Sequence, residues 1–218
     1  MSKNKAHTRY KFADGTPVPG VTTITGSQIG WNKQVLINWA NRIGLEGISA
    51  NKYRDDKANI GTLAHRMITD RLTGRETDTS DYSKNQIDAA DNSALSFYEW
   101  AKAKDIVPIL IEQPLVSETH RFGGTADIYA FVNGTAELID LKTGSGIYEE
   151  MFVQVAAYAQ LLIEHGHKVE VVRILNIPRT EDERFIEQVL GKHQRDVAWQ
   201  IFLNCLNNYQ LRRQLNGK

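Results

Sequence analysis

The sequence predicts an α/β fold, a small mixed β-sheet flanked by helices. Three observations carry that expectation. Apolar residues recur at helical spacing through the first hundred positions, three strand-like segments cluster between Val107 and Lys142, and a helix–strand–strand–helix pattern follows them.

The chain opens on a turn-rich stretch, Asp14 to Gly20, with two glycines and two prolines, and then the β-branched run Val21 to Ile24. A helix is expected over Lys33 to Ile43, where Val35, Leu36, Trp39, Ala40 and Ile43 share a face, with Gly44 as its stop. A second, over Asn59 to Leu72, aligns Ile60, Leu63, Ala64, Met67, Ile68 and Leu72 and leaves His65 at the edge of the stripe. After a polar loop from Gly74 to Ser83, a third helix runs to about Lys104 through Ala94, Leu95, Phe97, Tyr98 and Ala101.

Strands are expected over Val107 to Val116, Gly124 to Phe131 and Ala136 to Lys142, with Asn133-Gly134 as the hairpin turn of a meander. A helix over Glu149 to Glu164, strands over Val169 to Ile177 and Phe185 to Val189, and a closing helix from Lys192 to Leu211 complete the chain. The closing helix presents Val197, Ile201, Cys205 and Tyr209. Residues 1–218 are read as a single domain, with 1–60 as an N-terminal extension and helical region.

Composition removes several function classes. With 26 Lys+Arg against 26 Asp+Glu the formal net charge is +0, so a nucleic-acid partner would have to be held by local basic patches. The single Cys205 excludes an intrachain disulfide and a thiol-ligated zinc or iron–sulfur centre, and fits a reducing cytoplasm. No apolar run reaches the roughly 18 residues that a membrane span needs, and the N-terminus lacks an apolar signal core. The expectation is a cytoplasmic protein with no membrane partner, in the host cytoplasm if phage-encoded.

The chemistry concentrates in Gly123 to Gly144. Asp140 and Lys142 are two apart on a strand and share a face, while Leu141 points the other way into packing. The tight turn at Asn133-Gly134 brings Asp127 alongside Asp140. Two carboxylates converging at a strand end suit Mg²⁺ or Mn²⁺, and a lysine beside them can activate water or offset phosphoryl charge. Singly, each has an ordinary explanation, a turn aspartate or a solvated lysine; the combination points to a site. Gln154 and Tyr158, four apart in an otherwise apolar helix, require partners or a ligand. Glu112 is either a sheet-edge charge or a neighbour of the metal, and Glu137, of opposite parity to Asp140, is an unlikely ligand.

The ordered set Gly61-Thr62-Leu63-Ala64-His65, Gly124-Thr125-Ala126-Asp127, Ile139-Asp140-Leu141-Lys142-Thr143 and Gln154-Val155-Ala156-Ala157-Tyr158 resembles the PD-(D/E)XK nuclease superfamily, in the branch of RecB-type and phage-type exonucleases and Cas4-like proteins. The resemblance is strongest from Gly61 to Tyr158, and the segment from Tyr10 to Ile24 is similar to the opening of the phage-type enzymes. It implies a restriction-endonuclease-like core and one or two Mg²⁺ or Mn²⁺ ions per active site, held by His65, Asp127, Asp140 and the backbone carbonyl of Leu141. Lys142 would be the catalytic lysine, with Gln154 and Tyr158 positioning substrate or site. The implied activity is a DNA exonuclease of recombination, repair or phage DNA processing, acting on linear or single-stranded ends, with a recombination or replication protein as a further candidate partner.

Two departures stand out. Ala126-Asp127 replaces the Pro-Asp of the family name, and the cysteine cluster of its iron–sulfur members is missing. A structure-specific endonuclease is the alternative; a non-catalytic nucleic-acid-binding protein and an enzyme of small phosphate esters are the competing classes. For holding DNA, the candidates are Lys52, Arg54, Lys57, Arg66 and Arg71, interleaved with Asp55, Asp56 and Asp70. Trp31 and Tyr148 are candidates for base stacking, and Thr143 to Gly146 for a phosphate-approaching loop.

Overall fold

The computed structural model describes residues 8–217, so the reading of the first seven residues as lacking a signal core lies outside it. The fold is the expected α/β arrangement, a five-stranded mixed sheet with a separate two-stranded hairpin, consistent with a restriction-endonuclease-like core. No described helix is long and apolar enough to cross a membrane.

Helices α1 (Val21–Gln28), α2 (Lys33–Leu45), α3 (Ala50–Leu72) and α4 (Lys84–Ala101) precede the strands. The β-branched run at Val21 is helical because Val21 and Ile24 are wholly buried, and tertiary packing overrides their intrinsic preference. α3 begins nine residues before the expected Asn59, where the Ser49 side chain accepts from the Lys52 N–H as an N-cap. α4 starts on a capping box between Ser83 and Gln86. The α2 spacing is helical, yet Val35 and Leu36 are 64% and 60% exposed; of that face only Ile43 is buried.

The main sheet has the order β1 (Ile106–Ile111), β4 (Ile128–Val132), β5 (Thr135–Lys142), β6 (Val171–Asn176), β7 (Ile186–Leu190). All neighbours are antiparallel except β5 and β6, whose parallel pairing needs a crossover supplied by α5 (Glu149–Glu164). Asn133 and Gly134, at φ 50° and 81°, form the tight turn between β4 and β5.

Two expected strands are each broken in two. The chain leaves β1 at Glu112, whose φ is 46°, and forms a hairpin of β2 (Pro114–Ser117) and β3 (Phe122–Thr125) before returning to the main sheet at β4. The expected meander survives as β1, β4 and β5, with that hairpin inserted.

One sheet face, with Tyr129, Leu138, Val172 and Ile174, packs on α1, α5 and the closing helix α6 (Lys192–Leu215). The other, with Ile128, Ala130, Ile139 and Leu141, packs on α3 and α4. In α6 the buried stripe is Ala198, Phe202, Cys205 and Leu206; Val197, expected on that stripe, is 45% exposed, the face having rotated by one residue toward the larger Phe202.

Candidate active site

The switch between sheets places Asp127. Ile128 pairs with Ile139, so continuing the register one step puts Asp127 against Asp140, although the ladder ends before it. Freed from the ladder, Asp127 turns its carboxylate onto β5, where Oδ2 accepts the Leu141 N–H at 2.8 Å. Its backbone carbonyl accepts the Glu112 N–H at 2.9 Å, so the two points where the chain changes sheet brace each other.

Asp140 is 1% exposed and lies on the sheet face covered by α5, while Leu141 is buried in the opposite core as its parity requires. Lys142 Nζ lies 2.5 Å from Asp140 Oδ2. That contact is a buried ion pair, and no second protein group reaches Oδ2 among the described residues.

His65 arrives from α3, its Nδ1 3.5 Å from Asp127 Oδ1. One turn earlier is Gly61, where an added Cβ would stand 2.5 Å from Thr143 Oγ1; only glycine lets α3 come this close to the end of β5. From α5, Gln154 Nε2 donates to Tyr158 OH at 2.9 Å. Tyr158 fills the space over Gly124, whose missing Cβ would approach the tyrosine ring at 2.8 Å.

Charges here interact strongly. Burial pushes the Asp140 carboxyl up to about 6, against the lowering effect of Lys142 and with the added repulsion of Asp127. For Asp127 burial raises the pKa too, but His65, Lys142 and the Leu141 N–H outweigh it and hold the carboxyl below its ordinary value. Burial disfavours the charged forms of His65 and Lys142, yet the carboxylates more than offset this and both lie above their ordinary values. Burial and then the nearby Asp140 charge raise the Tyr158 phenol well above its ordinary value, so it stays neutral.

Asp127, His65, Glu112 and Tyr158 line a groove of about 1210 Å³, with Asp140 and Lys142 set back from its wall. The expected site residues are therefore brought to one place, His65 and Asp127 in contact, Asp140 and Lys142 in contact, and the Leu141 N–H joining the two pairs. Gln154 joins through Tyr158. Among the described residues, no group of three or more His, Cys, Asp or Glu side chains is arranged to hold a metal ion. The donor chemistry, two carboxylates with an imidazole and a carbonyl, fits a hard divalent cation, and Asp140 Oδ2 has an acceptor to spare. In this arrangement the cation beside Asp140 is the Lys142 ammonium.

Glu137 lies on the other sheet face, in a two-pronged pair with Arg173 at 2.8 Å for both contacts. Arg173 also pairs with Glu187, which accepts from Trp100 Nε1 at 3.0 Å. Its parity exclusion as a ligand agrees with this placement.

Of the basic candidates, Arg54 and Lys57 line the groove. Lys52 does not; Arg66 pairs with Asp70, and Arg71 stacks over Tyr98. Trp31 and Tyr148 are 50% and 42% exposed, and Tyr148 OH is 2.7 Å from Ser145 Oγ.

Three contributors escaped the sequence reading. Tyr10 lies against Gly123, where a Cβ would come within 2.3 Å of its ring, and its OH meets Thr125 Oγ1 at 3.0 Å. Asn176, wholly buried, donates to the Gly144 and Arg184 carbonyls and ties the loop after Lys142 to the β6–β7 link. Arg179, in that link, lines the groove. The Gly123-Gly124 pair was the available signal for Tyr10; for the other two the sequence offers none.

No family model matches the chain, and no curated protein matches it. Among solved structures it is similar to one named "Putative exonuclease" from Eubacterium rectale, at 12% identity over 72% of this chain and 68% of that one, with a TM-score of 0.49. It is also similar to an alkaline exonuclease from Laribacter hongkongensis, at 13% identity over 71% and 84% of the two chains, with a TM-score of 0.36. For the dAMP complex of that enzyme the values are 12%, 75%, 92% and 0.36. At such scores the likeness carries no argument about activity, which must rest on the chain's own residues.

Proposed function

We propose that this chain is a divalent-metal-dependent nuclease that hydrolyses phosphodiester bonds in DNA, acting as an exonuclease on linear or single-stranded ends. The observation that carries the reading is the fastening of Asp127 to the strand bearing Asp140 and Lys142, beside an open groove. A groove suits a polymer strand, whereas an enzyme of small phosphate esters calls for a closed pocket.

In this reading Asp127, Asp140, the Leu141 carbonyl and His65 hold Mg²⁺ or Mn²⁺, one or two ions per site. When bound, the metal supplies Lewis-acid polarisation of the phosphoryl group and a more acidic water. The Lys142 ammonium, released from Asp140, stabilises charge developing on the phosphoryl oxygens. Tyr158 remains protonated and, oriented by the Gln154 amide that donates to it, offers its hydroxyl proton to substrate in the groove. The end preference and a recombination or replication partner rest on the family resemblance, the single domain over residues 1–218 on chain length, and a cytoplasmic location on the lone Cys205 and the absence of a long apolar run.

The test is a time course on end-labelled linear DNA and on covalently closed circles with Mg²⁺ or Mn²⁺. Progressive shortening of the linear substrate while circles persist is the expected result. Conversion of circles to linear product would establish an endonuclease instead, and no cleavage of either would overturn the reading.

A further inference from the structure

A chain of zero net charge gathers cations at one place. The groove wall includes Arg9, Lys11, Arg54, Lys57 and Arg179, against only two carboxylates, Asp127 and Glu112. Within that set Lys57 and Arg179 stand apart, Lys57 by its approach to the Tyr53 ring at 5.4 Å and Arg179 by an ion pair with Glu183. Lys57, Gly61 and His65 recur every four residues on one face of α3, so the lysine lies about 12 Å along the helix from the imidazole at a rise of 1.5 Å per residue. Arg54, by contrast, pairs with exposed Asp55 and is itself 65% exposed.

Arg179 is held in place. Its side chain is 12% exposed, and its Nε and Nη2 engage the Glu183 carboxylate, which also accepts the Arg179 N–H at 2.8 Å. Ser93 Oγ donates to the preceding Pro178 carbonyl at 3.0 Å, anchoring the link to α4. Lys57 and Arg179 line the same groove, one from α3 and one from the β6–β7 link. Nη1 takes no part in the pair with Glu183, leaving one corner of the guanidinium fork for a ligand in the groove.

We propose that Lys57 and Arg179 form a subsite for a backbone phosphate of the bound nucleic-acid strand, remote from the bond that is cut. The inference rests on the nuclease reading above and adds to it two residues that belong to none of the four motifs. A preorganised arginine and a lysine of the same groove bind phosphate without reading bases, so the subsite confers strand affinity and register and no sequence preference.

Equilibrium binding of a fluorescent single-stranded DNA oligonucleotide, in chelator and over a range of salt, tests this without cleavage. Each phosphate contact to a single strand contributes about 0.7 to the slope of log affinity against log salt. Lys57→Gln should lower the slope by about one contact, and Lys57→Gln with Arg179→Gln by about two. Lys192→Gln, the same charge change at the start of α6 and outside the groove lining, should leave it unchanged. Because Lys57 sits on a helix surface, its single variant tests the subsite even if loss of Arg179 disturbs the link.

A wild-type slope in the Lys57 variant, or an equal fall in the Lys192 control, would overturn the subsite. Parallel cleavage assays of the wild type with Mg²⁺ keep the two ideas separate. Absence of cleavage there would sink the nuclease reading while the slopes still decide the subsite.

Discussion

The Asp127 carboxylate accepts the backbone N–H of Leu141 at 2.8 Å, so a residue outside any strand is fastened between the two functional side chains of β5. This bond makes the spacing of Asp127 from Asp140 and Lys142 a property of the sheet and not of a loose loop. Changes to these side chains should therefore alter chemistry more than architecture.

Lys142→Ala should lower the single-turnover rate about 10²-fold or more, because the ammonium that now neutralises Asp140 is the group placed to meet phosphoryl charge. Metal affinity measured by titration should change far less than the rate. A single-turnover rate near that of the wild type would reduce Lys142 to a counter-ion.

His65→Ala should weaken activity with either metal and more so with Mn²⁺, since imidazole is a softer donor than carboxylate. The motivating contact is the 3.5 Å approach of Nδ1 to Asp127. Unchanged affinity for both metals would leave His65 only an orienting role toward Asp127.

Glu137→Gln should separate structure from chemistry. It weakens a buried pair with Arg173 on the sheet face away from the site, and because Arg173 keeps Glu187 as a partner the loss should be about 1–3 kcal/mol. Denaturant unfolding should register that loss while cleavage per folded molecule stays unchanged. A selective fall in rate with normal stability would contradict the placement.

Much of this was legible in sequence because it depends on local period. Alternation along β5 put Asp140 and Lys142 on one face with Glu137 and Leu141 on the other, and the Asn133-Gly134 turn set the register that brings Asp127 to Asp140. What period cannot show is a strand that changes sheet. The breaks at Glu112 and at Ala126-Asp127 depend on a hairpin leaving the main sheet, and no apolar pattern marks the crossing. Likewise α2 is amphipathic in spacing but largely unburied, since burial is decided by what packs opposite. Asn176 and Arg179 reach the site from a distant part of the chain and carry no motif.

The Arg179–Glu183 pair predicts a pH dependence. Burial alone would raise the Glu183 carboxyl, but hydrogen bonds and charge from Arg179 outweigh it and hold the group below its ordinary 4.5. A depressed carboxyl contributes stability that is complete above the unfolded value and drains away as pH falls through the folded one. Between about pH 5 and pH 3 the wild type should therefore lose more stability than Glu183→Gln, measured by denaturant midpoint. Parallel curves would show that the pair contributes nothing measurable.

The most direct measurement is phosphodiester cleavage by Asp140→Asn beside the wild type, at saturating Mg²⁺ and Mn²⁺, with circular dichroism confirming that both are folded. The substitution keeps the volume of a side chain that is 1% exposed and removes the charge proposed to hold the metal. The expected result is metal-dependent hydrolysis by the wild type and none by the variant, with Asp127→Asn behaving alike. Near-normal hydrolysis by the folded Asp140→Asn protein would contradict the site.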